Sequence, residues 1–367
     1  MTIEDLALYF TKGLGSRGAA HLVDHFGSAE RIYEASLSEL INDAGLRPEI
    51  AERIVAHEGM REAEQEIKYC QRHDIRIISA TDKEYPEALR ATIDRPHILF
   101  VMGNVEALGK QCLAMVGTRE ITPSGIHSAN ILIKDLGEQV DNLCIVSGLA
   151  YGADSACHRA ALANGITTIA IIPSNLPKIT PAAHSQLAGE IIKAGGAIVS
   201  ELSSQTRNNG SHFISRNRII AGMSLATLVV ESPAEGGSLS TADIADSYSR
   251  TVLALPGRIT DTNSFGTNNL IRSGKARLVL TANDIIEDAG LQRTKHSATP
   301  TEENKPSIAL SDEEQRVINS FKEGAILDWS ELLASTNMSM GELAMIMMEL
   351  ELKGAIRTLP GKRYEII

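Results

Sequence analysis

Apolar residues recur at three- and four-residue spacings from Met1 to about Ile67, and the run is interrupted by Gly13, Gly15, Gly18, Gly27, Gly45 and Pro48. Helical periodicity cut by glycine and proline predicts short helices joined by tight turns. Within them, Lys12-Gly-Leu-Gly-Ser-Arg-Gly18 has the small residues of a helix-hairpin-helix turn, where backbone amides approach a phosphate. The same residues suit a purely structural helical hairpin. After Asp74 the pattern changes: Ile75 to Ser79 and Ile98 to Met102 are strand-like, stand on either side of Tyr85-Pro86, and are expected to bridge to a larger domain.

From Gln111 to about Ala289, runs that are apolar on both faces alternate with helical stretches. They are Leu113 to Val116, Leu143 to Val146, Thr168 to Ile172, Ala197 to Ser200, Thr227 to Val230 and Thr251 to Leu255. Doubly apolar strands alternating with helices specify a parallel sheet covered on both sides. The expected fold class is therefore α/β, with an extended Rossmann-like core. Residues 290–307 are rich in Thr, Pro, Lys and Glu and are expected to form a linker. Beyond them, helical patterns at Asp312 to Phe321, Trp329 to Ser335 and Met340 to Lys353 precede Ala355 to Leu359, Pro360-Gly361 and Tyr364 to Ile367. Three helices and a hairpin in that order predict a winged helix. The expected division is a helical domain of SAM or helix-hairpin-helix type at 1–74, the Rossmann-like domain at 75–289, the linker at 290–307 and the winged helix at 308–367. The helix in the recognition position, Met340 to Leu352, is apolar and acidic, which favours protein docking or a structural role over duplex DNA.

At 367 residues and 43% hydrophobic, the chain has material for two or three folded units. Met1 to Asp5 lacks a basic leader and no eighteen apolar residues run together, so a cytoplasmic protein without a membrane partner is expected. Cys70, Cys112, Cys144 and Cys157 have neither metal-ligand spacing nor disulfide density, and are expected to be reduced structural thiols. The formal net charge of −11 opposes a generally basic nucleic-acid surface, because phosphate neutralisation needs cations that face the ligand. Any nucleic-acid groove must be local.

Candidate cations and donors cluster after the strands, where open parallel sheets bind ligands. Gly117-Thr118-Arg119 follows the first strand of the core, ahead of a helix expected near Ser124. Ser147-Gly148-Leu149-Ala150-Tyr151-Gly152-Ala153-Asp154 follows the second, and Glu231 to Ser238, with Gly236-Gly237, follows the fifth. Pro256-Gly257-Arg258 and Ser264 to Asn268 come after the sixth. Each loop offers amides, hydroxyls and room for a phosphate, and a string of such sites suits a polymer. Neither a GxGxxG with a downstream acid nor a Walker GxxxxGK[ST] is present, so no nucleotide cofactor is expected. The segment Asn209 to Ser224 adds Arg216 and Arg218 for phosphates and Phe213, with His212, for stacking on bases, the combination of a single-strand binder. Asp154 and His158 are four apart at a helix start and are expected to be an N-cap and a packed histidine rather than an acid–base pair or metal ligands. Glu201, with no partner evident in sequence, is expected to be structural. No catalytic residue and no metal site is expected.

In this order, Val116-Gly-Thr-Arg119, Ser147 to Asp154 with His158, Phe213 through Arg216-Asn-Arg218 and Ala221-Gly-Met-Ser224, Val230-Glu231 with Gly237-Ser238-Leu-Ser-Thr-Ala242, and Pro256-Gly257 with Gly266-Thr-Asn268 and Leu270-Ile271 resemble the hallmarks of the DNA-processing protein A (DprA/Smf) family. The resemblance implies a Rossmann-like protein that forms a homodimer, binds single-stranded DNA and loads a RecA-type recombinase onto it during natural transformation. Carried across, it puts Arg119 on phosphate and Phe213 on a base, with Gly117, Thr118, Ser147, Gly148, Asn217, Gly237 and Ser238 shaping the pocket and Arg216 and Arg218 matching paired arginines. Tyr151 stands where many members have Arg, Thr180 replaces a Tyr, and Ala182 replaces a basic residue; Lys178 is a candidate to compensate.

Two other functions bear on the same residues. A nucleoside-monophosphate phosphoribohydrolase of the lysine-decarboxylase-like family shares the core but carries a PGGxGTxxE loop. Here Gly236-Gly237 is followed by Ser238-Leu-Ser-Thr-Ala242-Asp243, leaving Asp243 as the nearby acid at the wrong offset. A protein scaffold with a degenerate groove is the third reading, motivated by the acidic balance.

Overall fold

The computed structural model describes residues 1–207, 209–294, 311–321, 327–336, 338–353, 355–359 and 363–366. They form two compact units, Met1–Lys295 and His296–Ile367. The first is built on nine strands: β1 Arg76–Ser79, β2 Ile98–Gly103, β3 Gln111–Val116, β4 Leu143–Ser147, β5 Thr167–Ile171, β6 Ala197–Ser200, β7 Ala226–Val229, β8 Thr251–Ala254 and β9 Arg277–Leu278. Their order across the sheet is β1-β2-β6-β5-β4-β3-β7-β8-β9. From β6 to β9 every pairing is parallel.

All six strands expected from doubly apolar runs are present, with ends within two residues of the expected ones. Their interiors are buried because alternate side chains enter two separate cores. Leu113 and Met115 pack under the helices Pro123–Gln139, Ala153–Ala163 and Ala282–Ala289, while Cys112, Ala114 and Val116 join the opposite core with Ile219, Ile220 and Ala242. Fully burying each large aliphatic side chain contributes about 1.5–3 kcal/mol. One expectation changes: Ile75 to Ser79 and Ile98 to Met102 do not bridge to the sheet but belong to it. They are β1 and β2, added antiparallel through β2 to β6.

The N-terminal helices Ile3–Phe10, Gly15–Phe26, Ala29–Glu34, Pro48–Val55 and Met60–Arg72 bury Leu6, Leu8, Leu22, Ile32 and Ile54 in one cluster with Ile98, Phe100, Ile172 and Ile198 of the sheet side. The glycine turn at Lys12 to Gly15 joins the first two helices. Because helices and sheet share a core, the helices also grip the chain that leaves β6. The Tyr9 hydroxyl accepts from the Ser203 amide at 3.0 Å, and the buried Glu66 carboxylate accepts from the Ser204 amide at 2.7 Å and its hydroxyl at 2.6 Å.

Residues 295–307 of the expected linker lie outside the described residues. Its first residues are packed: Gly290 closes the helix Ala282–Ala289 in a left-handed conformation, and Arg293 pairs with Val140. In the second unit the helices Asp312–Asn319, Trp329–Thr336 and Met340–Leu352 accompany a three-stranded antiparallel sheet of β10 Leu327–Asp328, β11 Ile356–Leu359 and β12 Arg363–Ile366, ordered β10-β12-β11. Val317, Leu332, Leu343 and Leu350 form its core, and the buried Glu314 carboxylate accepts from the Lys353 ammonium at 2.6 and 2.7 Å and from the Ser311 amide at 2.6 Å. The expected Pro360-Gly361 turn lies outside the described residues.

Replacing Glu66 by Ala leaves two Ser204 donors without their partner in a partly buried place, a loss of about 1–3 kcal/mol. The urea midpoint of Glu66→Ala is expected to fall accordingly, whereas an unchanged midpoint would mean that the chain after β6 is held without it.

Candidate nucleic-acid interface

Strands β3 and β7 end side by side, with Val116 opposite Val229. From β3 the chain builds outward to β6, and from β7 it builds the other way to β9, so the order in which strands are added reverses between them. In open α/β sheets a crevice opens outside the carboxyl ends at such a switch point. A cavity of about 520 Å³ occupies it here, lined among others by Gly117 to Glu120, Asp154, Phe213, Arg216, Asn217, Gly236 to Ser238 and Asn263. Glu231 laces the two strand ends together. Its carbonyl accepts from the Thr118 amide at 2.8 Å, and its carboxylate accepts from the Thr122 amide at 2.8 Å and hydroxyl at 2.5 Å.

The loop after β4 is shaped from inside. Asp154 is not the expected N-cap: Gly152 caps the helix Ala153–Ala163, and the Asp154 carboxylate turns back to accept from the amides of Gly148 at 3.1 Å and Ala150 at 3.2 Å. Arg216 passes beneath the same loop and donates to the Ile171 carbonyl at 2.6 Å. A Cβ on residue 148 would fall 1.7 Å from its Nη1, so any side chain there would have to displace the buried guanidinium. Gly152 has φ +74° and would place a Cβ 2.3 Å from the Thr118 carbonyl, a position closed to other residues. Burial raises the pKa of Asp154 and lowers that of Arg216, and the attraction between the two charges opposes both shifts. Arginine keeps its proton, so a buried guanidinium lies beneath the loop whose amides Asp154 holds. The Arg216 Nε is buried and lacks a hydrogen-bond partner.

Above this floor Arg119 is exposed and Phe213 and Asn217 are half-buried. The Arg119 guanidinium lies 6.0 Å from the centroid of the Phe213 ring, close enough for a cation–π contact. Asn217 reaches the Gly237 carbonyl at 3.5 Å, and the Ser238 hydroxyl donates to the Ser232 hydroxyl at 3.0 Å.

Of the residues expected at the site, Gly117, Thr118, Arg119, Phe213, Arg216, Asn217, Gly237 and Ser238 line the cavity, and Ser147, Gly148 and Arg218 do not. The reasons are geometric. Ser147 is fully buried and its hydroxyl donates to the Met115 carbonyl at 2.6 Å. Gly148 makes room for Arg216 rather than for a ligand. On the helix His212–Gly222, Phe213, Arg216, Asn217 and Ile220 share one face at i, i+3, i+4 and i+7, which Arg218 leaves. Arg218 instead forms an ion pair with Glu201, so Glu201 does have a partner. Tyr151 stands outside the cavity, edge-on to His184 at 4.8 Å, and Lys178 and Thr180 are also absent from its lining. Sequence reasoning missed Asn263, whose side-chain amide donates to the Glu120 carbonyl at 2.7 Å across 143 residues. It also missed the acids Glu120 and Glu235 on the rim.

The glycine turn of the N-terminal helices borders a different cavity, of about 790 Å³, where Lys12 is accompanied by Glu58 and Glu62. Two carboxylates beside one ammonium do not favour a phosphate. Asp243, the acid nearest the glycine loop, is exposed and paired to Lys275 at 2.9 Å.

Fold and site together define a Rossmann-like protein with a cation-bearing cleft at its switch point and a winged-helix unit. The profile of the family described as DNA recombination-mediator protein A matches residues 76–290, and that of the DprA winged helix domain matches residues 300–362. The chain belongs to the DNA recombination-mediator protein A family. It is 33% identical over 328 residues to Protein Smf of Escherichia coli, covering 88% of this chain and 85% of that protein. It superposes on DNA processing protein A of Streptococcus pneumoniae with a TM-score of 0.67 and 30% identity, over 78% of this chain and 98% of that one. A structure of DNA processing protein A from Helicobacter pylori, described for its single-stranded DNA binding mode, matches with a TM-score of 0.52 and 27% identity over 58% and 94% of the two chains.

His158 behaves as the packed residue expected. It is fully buried, and because the Thr168 hydroxyl gives its proton to the Ile145 carbonyl, the ring Nδ1 at 2.7 Å must be the donor to Thr168. Burial, with the charges of His184 and Arg216, pushes its pKa from 6.5 down to about 3. Between those values the unfolded chain binds the extra proton, so stability is full above pH 6.5 and declines as pH falls toward 3. Urea midpoints measured across this window are expected to slope less in His158→Gln than in the wild type, and equal slopes would contradict a neutral buried ring.

Proposed function

We propose that the chain binds single-stranded DNA in the switch-point cavity and loads a RecA-type recombinase onto it, as a non-catalytic mediator of DNA recombination and natural transformation. The observation that carries the reading is the set of groups in one cleft: an exposed Arg119 against the Phe213 ring, over the buried Arg216 with its unsatisfied donor. A cation beside a ring is what a strand of stacked bases and phosphates requires, and neither depends on base identity. Gly117, Gly237 and the Thr118 hydroxyl lie around it, and Ser238 lines the cleft with its hydroxyl bonded to Ser232. Such a local site lets an acidic chain bind DNA, with the remaining surface repelling it. The hand-over to recombinase and its setting in transformation rest on the motif resemblance.

The reading includes a cytoplasmic homodimer. All four cysteines are free and buried, and among the described residues no helix is long and apolar enough to cross a membrane. The edge strand β9 leaves Leu278 42% exposed and Leu280, two residues beyond its end, is 70% exposed, an apolar edge suited to pairing with a second copy. Leu280→Asp is expected to shift sedimentation from dimer to monomer; an unchanged dimer would place the interface elsewhere.

The central test is fluorescence anisotropy of a long single-stranded oligonucleotide and of its duplex across a salt series. Single strands are expected to bind more tightly. Phe213→Ala should lose about 1–3 kcal/mol of binding without altering the salt slope, whereas Arg119→Ala should lower that slope by about 0.7. No binding at low salt would overturn the reading. A phosphoribohydrolase would release ribose phosphate from nucleoside monophosphates; the expected release is nil.

A further inference from the structure

The helix Met340–Leu352 of the winged-helix unit has two unlike faces. Leu343, Ile346, Met347 and Leu350 are buried in the core of the unit. The outward face is also apolar: Met340, Met345 and Met348 are 66%, 69% and 65% exposed. At about 100° per residue, the exposed Ala344, Met348, Gly341 and Met345 follow one another around the helix, with Met340 at its N-terminal end. Exposed Glu351 stands at one margin of this stripe and exposed Glu342 and Glu349 at the other, and no lysine, arginine or histidine occurs between Met340 and Leu352.

We propose that this face is a docking surface for a basic amphipathic helix of a partner protein, apolar along one side and flanked by lysine or arginine. Contiguous exposed apolar surface marks interaction sites, and methionine adapts its unbranched chain to the shape of an incoming side chain. The acids at both margins choose the partner. They repel the phosphates of DNA and of anionic lipid, and a second copy of the same face would set carboxylate against carboxylate. An amphipathic helix with cations beside its apolar stripe matches all three features, as in helix-in-groove recognition.

The test uses the full-length chain and a labelled synthetic helix of leucine and lysine in heptads, with a glutamate-for-lysine version as control. The lysine peptide is expected to bind and the glutamate peptide not to. Because the chain is already acidic, unspecific attraction must be separated from docking, and the double variant Met345→Glu/Met348→Glu does so. Docking predicts at least a tenfold loss of affinity in that variant, whereas attraction to net charge alone predicts tighter binding. Met345→Leu/Met348→Leu is expected to retain binding, and circular dichroism of both variants should match the wild type because these side chains lie outside the core. The proposal is overturned if neither peptide binds, if the glutamate variant binds as well as the wild type, or if that variant instead abolishes self-association or duplex binding. The outcome is independent of the single-strand assay, which addresses the other unit.

Discussion

Arg216 lies under the loop after β4 and points its guanidinium where that loop would otherwise be hollow, donating to the Ile171 carbonyl while Asp154 holds the loop amides from the other side. The shape of the cleft depends on this buried pair. The attraction between the two charges offsets part of what burial costs each of them. Gly148 is the geometric condition for the arrangement, since any side chain there would occupy the space of the guanidinium. Leu149, held at φ +58° in the same loop, is a non-glycine residue in the left-handed region. Backbone in such conformations persists where surrounding structure over-determines it, as the amide bonds to Asp154 do here.

The cleft is supported from two further directions. Glu231 ties the end of β7 to the loop after β3, which keeps Arg119 over the crevice. Tyr9 and Glu66 of the N-terminal helices hold Ser203 and Ser204, the start of the chain that leads to Phe213. The helical segment is therefore part of the same packed body as the sheet, and its glycine turn serves connection more than ligand contact. The positive groups of the cleft are few, and acids at Glu120 and Glu235 stand beside them. Affinity for a polyanion in such a place must come from stacking and from well-placed donors as much as from net charge.

Much of this was legible from residues alone, for definite reasons. The core strands could be read because burial on both faces leaves runs such as Leu143 to Val146 without polar alternation. The loop glycines could be gathered because parallel strands bring their carboxyl ends to one edge. What could not be read was which side chains of a correct segment turn toward the cavity. Phe213 and Asn217 face it while Arg218 does not, a distinction that requires knowing that the helix begins at His212. Ser147 ends β4 and Gly148 follows it, where the register decides between ligand and interior. β1 and β2 were legible as strands, but their place in the sheet was not, because it depends on antiparallel pairing of β2 with β6, a contact between distant segments. Asn263 escaped for the same reason.

The claim that single-stranded DNA occupies the cleft between β3 and β7 is tested most directly by photo-crosslinking an iodouracil-substituted oligonucleotide to the full-length chain and mapping the attached peptide. The account predicts attachment at Phe213, lost in competition with unlabelled single strand and absent in Phe213→Ala. Attachment confined to the helix Met340–Leu352 or to the turn at Lys12 to Gly15, with none at Phe213, would contradict it.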